Sequence, residues 1–325
     1  MLLAPDETQI ELLTAVGDML AGEAPFDRWY VPDLDVVAEE ARLMDLAGPM
    51  GWLGMAAPEA VGGSGGDLVD ECLVFMKLGE RIMPLGLLAG AVAVSATIAA
   101  GQSDLAAAFI AGTARAALAA GEEPRAFGTA GATHVLRIAQ TELSLAQGRT
   151  IGAETVALDA SSSTATIAEE GSLLRSIDAP LKLRLQLLAA AMLQGLARTA
   201  CNESNAYAKV REQFGRPIGS FQAVRHRIAD MELRARLAEA QVSFAAVALR
   251  DGRADAELQV LSALLLAGDA AMSNGETNIH NHGAIGTTTE NIGHLLLKRA
   301  ILLIALTGEA SLLKDRIADC QPPIM

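Results

Sequence analysis

The 325-residue sequence is short of aromatics, of basic charge and of cysteine. Only 3% of its residues are aromatic, two Trp, two Tyr and seven Phe, so the stacking platforms of single-strand nucleic-acid binders are missing. Lys and Arg number 25 against 39 Asp and Glu, a formal net charge of −14, which excludes the basic surface that nucleic acid demands. Cys72, Cys201 and Cys320 are odd in number and far apart, which argues against a disulfide framework and for a reducing compartment. No CxxC or close Cys/His cluster offers a structural zinc site, and the expected metal content is none. The first residues carry Asp6, Glu7 and Glu11 without an early Lys or Arg, unlike a secretory signal. The longest uncharged run, Ile82 to Gln102, contains Pro84 and several Gly and reads as a buried helix, not a membrane span. The expected location is the cytoplasm.

What is present is a 51% hydrophobic content dominated by Ala, Leu, Val and Ile, with 20% charged residues, a composition for a folded and largely helical chain. Thr8 to Leu20 and Asp33 to Leu46 carry helical apolar stripes. After the break Gly48-Pro-Met-Gly51 comes Trp52 to Asp67, rich in Gly, and then a helix from Asp67 to Glu80. Asp104 to Ala120 reads as a further helix with Ser103 as its N-cap. From Gly121 to Ile177 the chain gains Thr, Ser and Gly, and Thr133–Ile138, Thr141–Leu145, Thr155–Leu158 and Ser163–Ile167 read as strands. Helices return from Leu181 to Val210 and from Ser220, where Val224, Ile228, Met231, Ala235, Ala238, Val242, Ala245 and Leu249 form one stripe. Glu257 to Met272 and Thr289 to Leu306 complete a bundle. The expected fold is mainly α with a small β domain: an N-terminal helical domain over 1–120, a reduced β domain over 121–177 and a C-terminal four-helix bundle over 178–325.

The most informative stretch runs from Tyr207 to Met231 and contains Arg211-Glu-Gln-Phe-Gly215 followed by Pro217 and Gly219. A helix ending there and another starting at Ser220 present Arg211, Gln213 and Phe214 at one rim. Arg suits phosphate and Phe offers a stacking face. Taken alone, a helix–turn–helix with an Arg and a Phe is more often structural than ligand-binding. Gly62 to Gly66 lacks the Lys-Ser/Thr of a phosphate loop and leads into Asp67, so it reads as a turn. His280, His282, Glu290 and His294 match no metal spacing, and the two first histidines read as part of a glycine-rich turn. Arg225, Arg227, Arg234 and Arg236 read as a solvated face or inter-subunit ion pairs.

The stretch from Tyr207 closely resembles the signature of the acyl-CoA dehydrogenase family, flavoenzymes that desaturate acyl-CoA thioesters between the α and β carbons. Trp52 to Asp67 is similar to the family's N-terminal turn motif, and His282-Gly-Ala-Ile-Gly-Thr-Thr-Thr-Glu290 to its C-terminal glycine motif. The resemblance spans nearly the whole chain, in the family's order of helices, β domain and bundle. It implies FAD as cofactor, with Arg211 at the pyrophosphate and Phe214 near the adenine of FAD bound mainly by a neighbouring subunit, Gln213 between them, and His280, Gly283 and Gly286 along the adenosine half. It also implies an acyl-CoA substrate and an electron-transferring flavoprotein as electron acceptor.

The departures carry as much information. His280 stands where the family has Gln, and Ala284 replaces the second Gly of its pair. The β segment looks too short to line a flavin ring and a thioester. The family's usual catalytic Glu falls at Thr307 and its alternative position near Leu185, and neither residue can act as a base. The catalytic residue is therefore unknown from sequence, with Glu309, two residues beyond Thr307, as the remaining candidate. Trans contacts kept beside a lost base point to one subunit of a heteromeric α2β2 bacterial dehydrogenase, paired with a paralogous subunit and acting on a steroid side chain or another bulky acyl group. A self-sufficient enzyme using Glu309, and a scaffold that has lost FAD, are the alternatives.

Overall fold

The computed structural model describes residues 4–31, 33–121, 125–139, 142–150, 157–169, 175–177, 179–308 and 310–320. Helices α1 (Glu7–Glu23), α2 (Val36–Asp45), α3 (Leu68–Glu80), α4 (Leu85–Ala99) and α5 (Ser103–Ile110) come first. Asp6 and Asp67 cap α1 and α3, their carboxylates accepting from backbone N–H groups that the first helical turn leaves unpaired. Helix α4 is the uncharged run singled out in the sequence, and nearly every side chain on it is buried. That accounts for its apolarity without a membrane.

The sheet follows as β1 (Ala116–Ala120), β2 (Arg125–Phe127), β3 (His134–Ile138), β4 (Leu143–Thr150), β5 (Thr164–Glu169) and β6 (Arg175–Ile177), in the order β3-β1-β2-β5-β4-β6. Strand β4 is long enough to change neighbours. Its Leu143–Gln147 half pairs with β3, and its Gly148–Thr150 end pairs with β5. Five strands thereby close into a small barrel, with β1 and β3 parallel and the other pairs antiparallel. Closure removes the open edges that a small sheet would otherwise expose.

Two helical expectations need correction here. The helix expected from Asp104 to Ala120 ends at Ile110, with Ser103 inside it and not at its cap. Ala116–Ala120 is instead strand β1, buried between β2 and β3. An Ala-rich segment reads as helix by propensity, and tertiary burial overrides it. The strands expected at Thr133–Ile138 and Ser163–Ile167 are β3 and β5. Residues 155 and 156 of the strand expected at Thr155–Leu158 lie outside the described residues, and Ala157 and Leu158 are not strand.

The bundle consists of α6 (Ala179–Val210), α7 (Gln222–Arg250), α8 (Ala256–His282) and α9 (Gly293–Thr307), with α10 (Ala310–Asp319) after it and a two-stranded hairpin, β7 (Glu212–Gln213) and β8 (Arg216–Pro217), between α6 and α7. Helix α8 runs ten residues past the expected Met272, so His280 and His282 lie on its last turn and not in a loop. Polar residues hide this extension from a hydrophobic reading, because they work across helices: buried Asn274 donates through Nδ2 to the carbonyls of Ala197 on α6 at 3.0 Å and Met231 on α7 at 2.9 Å. The segment Ala256–Thr287 is long and apolar enough to cross a membrane by composition alone, yet half of its most apolar window is buried within the protein.

The shortage of aromatics has a packing counterpart. Helices α3 and α6 cross backbone against backbone: a Cβ on Gly195 would lie 2.1 Å from the Met76 carbonyl oxygen, and one on Gly79 2.2 Å from that of Met192. Small side chains replace bulk with proximity. A polar strut ties the barrel to the bundle. Arg299 of α9, fully buried, pairs with Asp159 and donates to the carbonyls of Met83 at 2.7 Å and Ser161 at 2.8 Å.

Candidate functional site

Two places in the molecule carry the residues singled out from sequence. The first is the end of the bundle where α6 and α8 both finish. Ser204 donates to Asn278 Oδ1 at 2.9 Å, and the Tyr207 ring stacks on His282 with centroids 4.2 Å apart. His282 Nδ1 donates to the Asn278 carbonyl at 2.9 Å, since a carbonyl can only accept. These contacts bring the Arg211–Phe214 segment and the His280–Gly286 segment to one end of the protein. Sequence reasoning missed Ser204, Tyr207 and Asn278; the polar residues inside two apolar helices are the signal that could have found them. Burial pushes the nearby Glu203 carboxyl up, against the opposing pull of His282 and Arg81.

The hairpin itself is built around a tight turn. Phe214 has φ +53° and Gly215 φ +75°, the left-handed pair that joins two antiparallel strands through a two-residue loop. Gly supplies this freely, whereas a bulky Phe there is strained. Phe214 is nevertheless 92% exposed, its ring edge-on to Phe221 at 6.1 Å between centroids. Phe221 anchors the hairpin from below, with the Arg216 guanidinium 4.2 Å over its ring. Arg211 and Gln213 are exposed, and the Gln213 amide donates to the Glu212 carbonyl at 2.8 Å. An exposed aromatic ring is thus carried on one hairpin with the exposed residues Arg211 and Arg216.

On the neighbouring loop, Gly283 adopts φ +66° to end α8, and a Cβ there would meet nothing within 4 Å. Gly286 is buried, and a Cβ on it would lie 2.5 Å from the Ile279 carbonyl oxygen, so its lack of side chain is required by the protein's own backbone. His280 and Ala284 are exposed. Of the arginines on α7, Arg225 donates to the Gly219 carbonyl at 3.0 Å, Arg234 to Asn274 at 3.5 Å, and Arg236 pairs with Glu232.

The second place is a pocket of about 510 Å³, against about 700 Å³ for the groove beside the hairpin, and it lies between the ends of β1 and β3, the start of α6, the end of α9 and α10. Thr307 stands in it, at the position to which the family resemblance assigns a catalytic Glu. It is 2% exposed, and its hydroxyl donates to the Leu303 carbonyl at 2.7 Å, so it is committed to holding its own helix. Leu185 is fully buried and apolar. Glu309 lies outside the described residues. The carboxylates on the described walls, Asp315 and Asp319, are exposed on α10. Among the described residues no group of three or more His, Cys, Asp and Glu could hold a metal ion.

The two places differ in their fit to FAD. The outward Phe214 with Arg211 and Arg216 fits an adenine and a pyrophosphate presented from outside the chain. A flavin ring's carbonyls need donors, and on the walls of this pocket the charged side-chain donors are Lys182 and Arg316. The N–H groups of Gly121, Ala139 and Gly308 on its walls are bonded to the carbonyls of Ile138, Glu142 and Ile304 at 2.8, 2.8 and 3.0 Å.

A helical domain, a small closed barrel and a helical bundle with an exposed Arg-x-Gln-Phe-Gly hairpin define an acyl-CoA dehydrogenase-type flavoenzyme architecture. Comparison with known proteins agrees. The models for the N-terminal and C-terminal domains of acyl-CoA dehydrogenase match residues 6–117 and 184–320. Acyl-CoA dehydrogenase IpdE2 of Mycobacterium tuberculosis is 32% identical over 254 residues, 77% of each chain. Among solved structures, the Tcur3481-Tcur3483 steroid ACAD superposes with a TM-score of 0.81 at 23% identity over 97% of both chains. The ChsE4-ChsE5 complex of M. tuberculosis gives 0.78 at 20% identity over all of both. The chain belongs to the acyl-CoA dehydrogenase family, oxidoreductases that act on CH–CH bonds.

Proposed function

We propose that the chain is one subunit of a heteromeric, FAD-dependent acyl-CoA dehydrogenase, an α2β2 assembly in the cytoplasm. A paralogous subunit holds most of the FAD and supplies the base and the acyl pocket. Bound FAD supplies the two-electron acceptor for α,β-desaturation of an acyl-CoA thioester, and an electron-transferring flavoprotein reoxidises it. This chain's part is positioning. Arg211 holds the pyrophosphate, Phe214 stacks on the adenine, and Gln213, His280, Gly283 and Gly286 border the adenosine half. The observation that carries the reading is Phe214, strained and 92% exposed on the hairpin. A bulky apolar residue held outward at a conformational cost is accounted for by a contact beyond its own chain.

Two further points support the same reading. Thr307 cannot take an α proton, so the base must come from elsewhere. Two similar structures, the Tcur3481-Tcur3483 steroid ACAD and the ChsE4-ChsE5 complex, are named for pairs of components. The first name also motivates the substrate assignment, a steroid side chain or another bulky acyl group as its CoA thioester.

Purification of the chain alone and with its paralogous partner tests this directly. Flavin absorbance and activity are expected only from the co-expressed pair. In that pair Arg211→Ala should weaken FAD about tenfold, the loss of one charge-assisted contact. Stoichiometric flavin and dehydrogenase activity in the chain alone would sink the assignment, and unchanged FAD affinity in Arg211→Ala would remove that residue's role.

A further inference from the structure

The pocket around Thr307 has one-sided chemistry. Its backbone N–H groups at Gly121, Ala139 and Gly308 are spent on internal carbonyls, and the Thr307 hydroxyl is spent on Leu303. Lys182, one helical turn before Gln186 on α6, reaches the Ala139 carbonyl at 3.5 Å. The remaining wall is apolar at Ile138, Leu306, Leu312 and Leu313 and charged along α10 at Asp315, Arg316 and Asp319, of which Arg316 pairs with Glu257.

Among the described lining residues, one buried side-chain atom is left without a partner. Gln186 lines the pocket at 2% exposure, and its Nε2 donates to the Thr307 carbonyl at 3.1 Å. A carbonyl cannot donate, so this bond fixes the amide orientation and leaves Oε1 as the free end. That Oε1 is buried without a hydrogen-bond partner. A buried acceptor with nothing to accept carries a desolvation cost that a donor would relieve. A thioester offers only acceptors and is the wrong match. An apolar body ending in a hydroxyl is the right one, and 510 Å³ is room for a small molecule.

We propose that this pocket binds an apolar molecule bearing a hydroxyl group, with Gln186 Oε1 accepting its hydrogen bond. The proposal is for binding alone: the carboxylates on its described walls, Asp315 and Asp319, are exposed on α10, away from the buried Gln186. It requires no partner subunit and holds whether or not the chain pairs with one.

Isothermal titration of the full chain with 1-octanol and with 1-methoxyoctane separates the donor from the apolar body, because the ether keeps the chain and the oxygen but has no O–H. The alcohol should bind about fivefold more tightly, the worth of one hydrogen bond. Gln186→Met should lower the alcohol to the affinity of the ether and leave the ether unchanged, with circular dichroism confirming the fold. Leu312→Trp, at a solvent-exposed position on the wall, should weaken both ligands and decides the location if Gln186→Met does not fold. Equal affinity for alcohol and ether, no binding of either, a preference that survives Gln186→Met, or affinities unmoved by Leu312→Trp would each overturn the proposal. So would stoichiometric FAD taken up by the chain alone and displaced by the alcohol.

Discussion

The hairpin at the end of the bundle and the pocket around Thr307 are opposites in how they treat polar and apolar groups. At the hairpin, an aromatic ring and charged side chains stand in solvent on a strained turn, and few of them satisfy one another. At the pocket, backbone donors are bonded inward and the threonine hydroxyl is folded back onto its helix. The first region leaves its ring and charges facing solvent. The second turns these donors inward, leaves Gln186 Oε1 buried without a partner, and carries Thr307 where the resemblance implies a carboxylate. The difference teaches that exposure and polar pairing can diverge between two regions of one fold, each carrying residues that the family resemblance singles out.

The sharpest way to break this contrast is to attack what holds the pocket region together. Arg299→Met removes the buried cation that joins the barrel loop to α9 and α4's approach, and leaves Asp159, 1% exposed, without its partner. Breaking a buried pair from one side costs about 3–5 kcal/mol. Chemical denaturation should show a loss of that size. A loss below about 1 kcal/mol would mean that the barrel and bundle are held by apolar contact and that the strut is incidental.

How much of this was legible in the sequence depends on the kind of signal. The motif residues were legible, because Phe214, Gly215 and Pro217 announce a turn by local chemistry and Thr307 is found by counting. The helical architecture was legible wherever apolar periodicity was unbroken, as along the buried Met231, Ala235, Ala238, Val242 and Ala245 stripe of α7. What failed were places where distant partners decide. Ala116–Ala120 is a strand because β2 and β3 lie beside it, and the last ten residues of α8 stay helical although Asn274 and Asn278 interrupt the apolar pattern. The Arg299–Asp159 pair, separated by most of the bundle in sequence, left no local trace. Gln186 likewise gains meaning only beside Thr307.

A smaller effect tests the same contrast through pH. Glu40 of α2 is 3% exposed and accepts from Ser163, and burial pushes its carboxyl up, against the partial pull of that bond and of Arg299. A carboxyl raised above its unfolded value binds its proton more tightly when folded. Its favourable contribution is therefore complete below the unfolded pKa, near 4.5, and is lost as pH rises through the folded value. Thermal melts should show the parent losing stability over that rise, and Glu40→Gln should flatten the slope. A parent curve that matches Glu40→Gln at every pH would show the carboxyl to be solvated.

The smallest expected effect on the isolated chain is the most informative about the hairpin. Phe214→Gly relieves a left-handed conformation that costs a bulky residue about 1 kcal/mol or more. Against that gain stand the added freedom of Gly in the unfolded chain, about 1 kcal/mol, and the lost edge contact with Phe221, about 0.5–1 kcal/mol. These terms nearly cancel, so the free chain should change by less than about 1 kcal/mol in denaturant. A residue that matters only to its own fold would behave otherwise. If Phe214→Gly cost the isolated chain more than about 2 kcal/mol, the exposed ring would be a structural element and the outward role of the hairpin would fall. If stability is unchanged while FAD affinity drops in the co-expressed pair, the ring's work lies across the interface, where its exposure and strain have already directed it.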